Sequence, residues 1–175
     1  MNAYVAALTE AMTMLSVDPR AIFIGQTAKY PGTAMHQTLV NVPDEQRLEF
    51  PVAEEMQMGA SIGLALAGHL PISIFTRWNF LLLATNQLVS HLDKIPLYSG
   101  YRPKVIIRTG VGSVKPLHPG PQHCGNFAKA FASMCQTITF VVLDSPAMVV
   151  PEYLIALERP TSTVLVELSD LYNDD

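Results

Sequence analysis

The sequence predicts an α/β fold, a mostly parallel sheet of about six strands with helices on both faces. Three observations predict it. Short runs rich in Val, Ile, Phe and Leu recur at 21-AIFIG-25, 70-LPISIFT-76, 104-KVIIRT-109, 137-TITFVVL-143 and 163-TVLVEL-168, with a weaker one at 47-RLEFPV-52. Most of them lack in/out alternation, as expected of strands covered on both faces. Segments of helical length (2–16, 55–67, 79–93, 125–134 and 146–157) fall between them, and strand–helix alternation is the pattern of a parallel sheet. No repeat, low-complexity segment or linker divides the chain, so residues 1–175 read as a single domain.

At 175 residues the chain is long enough to bury a proper core. Charged residues make up only 15% of it against 49% apolar, so part of the surface is expected to meet another subunit. The net charge of −4 is spread without a basic patch, which argues against nucleic acid and against an anionic membrane surface. Charges, Gly and Pro interrupt every run before it reaches membrane-spanning length. The opening MNAYVAALTEAM reads as a mature helix rather than a leader, and Cys124 and Cys135 as reduced thiols. A cytoplasmic location is the expectation.

In open α/β sheets ligands sit beyond the carboxyl ends of the strands. The segments there are 26–33, 53–55, 77–80, 110–124 and 144–147. Gly110-Val111-Gly112 follows a strand but leads into Lys115, Pro116, Pro119 and Pro121 rather than a helix, so it fails as a dinucleotide fingerprint. His118, His123 and Cys124, with Asp144 a possible fourth, match no standard zinc spacing, and His123 taken alone reads as a loop histidine bonded to backbone. Trp78 and Phe80 invite a reading as an aromatic platform, and core packing is the alternative, since Phe80, Leu83 and Gln87 share a helical face. Arg77, a charge at a strand end in an apolar chain, is expected to face a ligand or partner. Arg102, Lys104 and Arg108 read as solvated or paired. Glu54 and Glu55 stand before a helix of small and apolar residues, where the helix dipole favours a carboxylate by about 0.3–1 kcal/mol. Either glutamate meets that need.

Three blocks taken together resemble a known family: 50-FPVAEEMQMGASIGLALAG-68, 75-FTRWNFLLLATNQL-88 and 121-PQHCGNFAKAF-131. They look like the pyrimidine-binding domain of thiamine diphosphate-dependent enzymes, above all the beta subunits of 2-oxo acid dehydrogenases and more distantly transketolases. The family pattern Pro–aliphatic–small–Glu, followed by a Gly- and Ala-rich helix ending in Ala-Gly, is Pro51-Val52-Ala53-Glu54 through Ala67-Gly68 here. A second block, Phe with Asp-Gln following, is Phe80 with Asn86-Gln87, an amide replacing the acid. The third, Gln-His and a small polar residue, is Gln122-His123-Cys124.

The resemblance implies the thiamine diphosphate-binding fold and a role for each of these residues. Glu54, not Glu55, would bond the ring nitrogen of the cofactor's aminopyrimidine and drive its imino form, which needs a dry pocket. Phe80 would stack on that ring, and Met58 would join the cofactor pocket. His123 would face the substrate as an acid–base or hydrogen-bonding group. Gln122, His118 and Arg77 are weaker substrate-side candidates, Arg77 as a partner for carboxylate or phosphate. The helix of Gly59, Gly63 and Ala67 would pack on another subunit.

Departures from the family pattern sharpen the expectation. The Gly-Asp-Gly motif of the diphosphate and Mg2+ half does not occur in these residues, nor does a C-terminal transketolase domain, and Gln26 stands where beta subunits commonly carry an acid. The chain is therefore expected to be inactive alone and to need a separate diphosphate-binding subunit holding Mg2+, as part of a homodimer or heterotetramer. The reaction would make or break a C–C bond next to a carbonyl of a 2-oxo acid or ketose. Decarboxylation with carboligation, ketol transfer and oxidative decarboxylation all stay open. The rivals are a non-catalytic assembly or regulatory subunit with the same fold, and an unrelated nucleotide-binding or metal-dependent α/β enzyme.

Overall fold

A computed structural model describes residues 2–112 and 118–173, so Lys115 and Pro116 lie outside the described residues. Six strands form one sheet: β1 (Ala21–Gly25), β2 (Arg47–Glu49), β3 (Leu70–Phe75), β4 (Ile106–Val111), β5 (Thr139–Leu143) and β6 (Thr163–Leu168). Their order is β2-β1-β3-β4-β6-β5, and every neighbouring pair is parallel. β2 stops short of the expected 47–52. Phe50 still donates to the Gly25 carbonyl at 3.1 Å, but Pro51 has no N–H with which to continue.

Alternation along the strands sorts the side chains into two cores. Phe23, Ile72, Ile106 and Leu165 point to one face, under α1 (Ala3–Leu15), a 3-10 segment at Ala34–Leu39, and a long helix at Pro146–Glu158. Phe75, Ile107, Val164 and Val166 point to the other, under α2 (Glu54–Leu66), the helical stretch beginning at Trp78, and Ala128–Met134. That division covers every inner strand on both sides, which is why those runs are mostly apolar in the sequence. Among the described residues no helix is long and apolar enough to cross a membrane.

The predicted helix over 79–93 is not uniform. It comprises α3 (Trp78–Leu81), a 3-10 turn at Leu82–Ala84 and a π-helical turn at Gln87–Leu92, followed by α4 (Ile95–Tyr98). Its buried side is Trp78, Leu81, Ala84, Leu88 and Leu92. Leu83 is 62% exposed, so the Phe80–Leu83–Gln87 face is open to solvent instead of forming core, and Trp78 is core instead of platform.

Three buried charges organise the interior. Arg108 on β4 donates through Nε to Glu167 Oε1 on β6 at 2.7 Å and through Nη2 to Oε2 at 3.1 Å. Tyr153 donates to Glu167 at 2.7 Å, Tyr172 donates to its other oxygen, and Thr38 accepts from Arg108 at 3.1 Å. Burial by itself lowers the Arg108 pKa, but Glu167 outweighs it and raises the guanidinium above its ordinary value. The Tyr153 and Tyr172 hydroxyls are raised by burial first and by Glu167 second. Asp93, after the π-helical turn, accepts from the N–H groups of Gln136, Thr137 and Ile138 at 2.9, 2.7 and 3.2 Å, anchoring the chain as it enters β5.

Candidate active site

The parallel strands deliver their carboxyl ends to one edge, where the loops after β1, β3 and β4 meet the start of α2. Gln57 fixes α2 there. Its buried amide donates to the Ile74 carbonyl at 3.0 Å and the Ser73 hydroxyl at 3.1 Å, locking the helix's first turn onto β3. A Cβ at Gly25 would lie 2.4 Å from the Ile74 carbonyl and 3.2 Å from that amide, so only glycine lets β1 end this close.

Glu54 is the first residue of α2. Its half-buried carboxylate has no hydrogen bond or ion pair among the described residues. It lines two recesses. One, of about 10 Å3, has room for barely a water and is walled by Gln26, Val52, Gln57 and Phe80. The other is an open groove of about 760 Å3 between α2 and the following helical stretch, lined by Met56, Gly59, Leu83 and Gln87. Glu55 is exposed at the groove's rim.

Met58, expected at the cofactor, is corrected. It is 0% exposed and packed in the second core, whereas Met56 is 57% exposed and lines the groove. The phase of α2 decides this, since Gln57, Met58, Ser61 and Ile62 form its buried side. A helix apolar all round gives no such phase in its sequence.

His123 lies on a short 3-10 turn, Pro121–His123, its ring centroid 5.9 Å from that of Phe80. Nδ1 donates to the Asn79 side-chain oxygen at 2.9 Å, which leaves Nε2 as acceptor for the Gln122 amide at 3.2 Å. The pairing is thus with side chains, not the backbone bond its loop position suggests. The turn is pinned by the Gly112 N–H donating to the His123 carbonyl at 2.9 Å, and a Cβ at Gly112 would meet that oxygen at 2.4 Å. His118 is exposed, and its Nδ1 accepts from Gly120 within the same loop at 3.0 Å. Among the described residues no group of three or more His, Cys, Asp or Glu side chains converges to hold a metal.

The loop after β1 has an unexpected organiser. Glu49 at the end of β2 accepts from the N–H groups of Thr27, Lys29 and Tyr30 at 2.6, 2.9 and 3.2 Å, holding Thr27 at a φ of 60°. This loop, Arg77 and Phe80 enclose a cleft of about 560 Å3 beside the Glu54 recess. The structure therefore brings Glu54, Phe80, His123, Gln122 and Arg77 to one edge, leaves His118 on its own loop and withdraws Met58. Sequence reasoning missed Asn79, Gln57 and Glu49. The signal for the first was a lone amide between Trp78 and Phe80.

The edge offers what the aminopyrimidine half of thiamine diphosphate would need: an uncommitted carboxylate beside an aromatic face, over a recess with room for barely a water. Comparison with known proteins points the same way. Residues 1–174 match the model of the transketolase pyrimidine-binding domain. The chain is 27% identical over 175 residues to a pyruvate dehydrogenase E1 component subunit beta from Mycoplasma pneumoniae, covering 96% of this chain and 52% of that protein. It superposes with a TM-score of 0.63 on a structure described as a split gene transketolase, inactive beta4 tetramer. The identity there is 16%, over 92% of this chain and 49% of the other. The chain thus spans about half the length of both.

Proposed function

Because the chain belongs to the transketolase pyrimidine-binding domain family, a family of thiamine diphosphate-dependent enzymes, we propose that it is the pyrimidine-side half of such an enzyme. The observation that carries the reading is the half-buried carboxylate of Glu54, free of protein partners and sharing a water-poor recess with Phe80. When bound, the cofactor would supply a nucleophilic carbon able to add to a substrate carbonyl and let the adjacent C–C bond break. Glu54 would hydrogen-bond the pyrimidine nitrogen from the edge of the recess it shares with Phe80. Phe80 would stack on that ring and limit water's access to it. His123, with Nε2 as its acceptor, takes or returns a proton on the substrate side.

The diphosphate and Mg2+ belong to a second subunit in this reading. The relatives support it, one being described as a beta subunit and one as a split transketolase. The groove of Met56, Gly59 and Leu83 is where a neighbouring chain closes the Glu54 side, in a homodimer or heterotetramer in the cytoplasm. The reaction is of the decarboxylating, carboligating or ketol-transferring kind, on a 2-oxo acid or a ketose.

A tagged pull-down from the native lysate tests the assembly. Recovery of a protein carrying Gly-Asp-Gly, and thiamine diphosphate binding by the pair with Mg2+, supports it. Recovery of this chain alone, with no cofactor affinity when lysate is added back, overturns it and leaves the assembly-subunit reading.

A further inference from the structure

We infer that the small recess lined by Glu54 binds one water molecule, held between the Glu54 carboxylate and the side-chain oxygen of Gln57. Gln57 is thereby a positioning residue for Glu54. The inference deepens the proposed function and rests on it for what Glu54 then does. Gln57 is 2% exposed. Its Nε2 is fully engaged, donating to the Ile74 carbonyl at 3.0 Å and the Ser73 hydroxyl at 3.1 Å, with the Ile24 carbonyl at 3.4 Å. Two carbonyls facing that atom fix it as nitrogen, since a flipped amide would set oxygen against oxygen. The other branch is Oε1, and it has no hydrogen-bond partner among the described residues. Ser61 does not serve it, because that hydroxyl is occupied by the Gln57 backbone carbonyl at 2.8 Å and by Ser73 at 3.0 Å. Buried side-chain acceptors are nearly always paired, so a free one on a residue that lines a recess marks a place for a donor.

The recess selects the donor. Glu54 and Gln57 stand three residues apart on α2, on one helical face, and both line it. Its volume of about 10 Å3 admits a single water and nothing larger. A water has two hydrogens for the two acceptors, the Glu54 carboxylate and Gln57 Oε1. Its own lone pairs can accept from the Thr76 hydroxyl or the Gln26 amide, which line the same recess and are without hydrogen-bond partners among the described residues. Pro51, Val52 and Phe80 wall the site with apolar side chains and compete for neither acceptor. An apolar group in the water's place would leave Oε1 unpaired. Glu54 also lines the groove outside the recess. A carboxylate tied from the recess through one oxygen is fixed in rotation and keeps its other oxygen for a ligand on the groove side.

The test is water-selective NMR on the full isotope-labelled chain, together with its crystal structure. A long-lived water is expected to give cross-peaks to the Gln57 side chain, and to appear as density within about 3 Å of Oε1. Gln57→Met keeps the volume and removes Oε1. The cross-peaks should vanish, and the Glu54 side chain should pass from one rotamer to an average, read from its three-bond couplings. Ser73→Ala is the structural control: it takes an acceptor from Nε2 and leaves Oε1, so it should lower the urea midpoint but keep the water and the Glu54 rotamer. Absence of both cross-peaks and density in the wild-type chain overturns the proposal. So does a folded Gln57→Met protein with the cross-peaks or the Glu54 rotamer unchanged. Density that follows the concentration of sodium, potassium or ammonium overturns it too, since the occupant is then a cation. The wild-type measurements decide the matter even where Gln57→Met does not fold. None of them needs cofactor or partner, so their failure is separate from failure of the thiamine diphosphate reading.

Discussion

Asn79 sets the tautomer of His123. The amide oxygen accepts from Nδ1 at 2.9 Å, so the lone pair stands on Nε2, on the side of the ring bonded by Gln122. Phe80 lies between them in sequence terms, one residue from Asn79 and 5.9 Å from the imidazole. A ring so held can take a proton at one fixed atom. Replacing His123 by Ala should lower turnover of the assembled enzyme about a hundredfold. Asn79→Asp should raise the imidazole pKa through the added charge and move the acidic limb of the pH–rate profile upward. An unshifted profile in Asn79→Asp contradicts the pairing.

The Arg108–Glu167 pair is buried on both sides, so breaking it leaves a charge without solvent. Glu167→Ala should cost about 3–5 kcal/mol of stability, read from the urea midpoint. Exchanging the pair for apolar residues of similar volume should cost less than that single change. Equal losses would mean that the cluster's worth lies in the tyrosines around it.

Asp93 gives the fold an acid limit. Burial alone raises its pKa, but the Lys94 hydrogen bond and the N–H groups of Thr137, Gln136 and Ile138 prevail and hold it below the ordinary value. A depressed carboxylate contributes stability above the unfolded pKa, and that contribution fades as pH falls through the folded one. Urea midpoints should therefore drop below about pH 4. Asp93→Asn should be less stable at neutral pH and lose less on acidification. Parallel pH curves for the two proteins contradict the assignment.

Leu83, 62% exposed across the groove from Met56, should be covered in the assembly. Leu83→Glu should weaken subunit association about tenfold or more in sedimentation equilibrium, since it desolvates a charge at an apolar contact. An unchanged association constant would remove this groove from the interface.

Strands β1 and β6 were legible to the residue because helices cover both their faces and their runs stay mostly apolar, Glu167 being the one charge in β6. β2 was over-read, since an edge strand shortens at a proline without changing its apolar look. The 3-10 and π-helical turns after Trp78 left no mark, because propensity does not distinguish them from α-helix. Their phase decides that Leu83 faces solvent and Leu88 does not. Glu54 and Phe80 were singled out by the family resemblance and not by local pattern, and the facing of Met58 was legible from neither. The Arg108–Glu167 pair joins residues 59 positions apart, and only the parallel register of β4 and β6 brings them together.

Activation of thiamine diphosphate by Glu54 can be measured without knowing the substrate. Hydrogen–deuterium exchange at the thiazolium carbon of the cofactor should be accelerated in the complex of this chain with its diphosphate-binding partner. Glu54→Gln, with cofactor bound, should slow that exchange by about 10²-fold or more. Glu55→Gln should leave it unchanged. Equal exchange in wild type and Glu54→Gln, at full cofactor occupancy, would contradict the account.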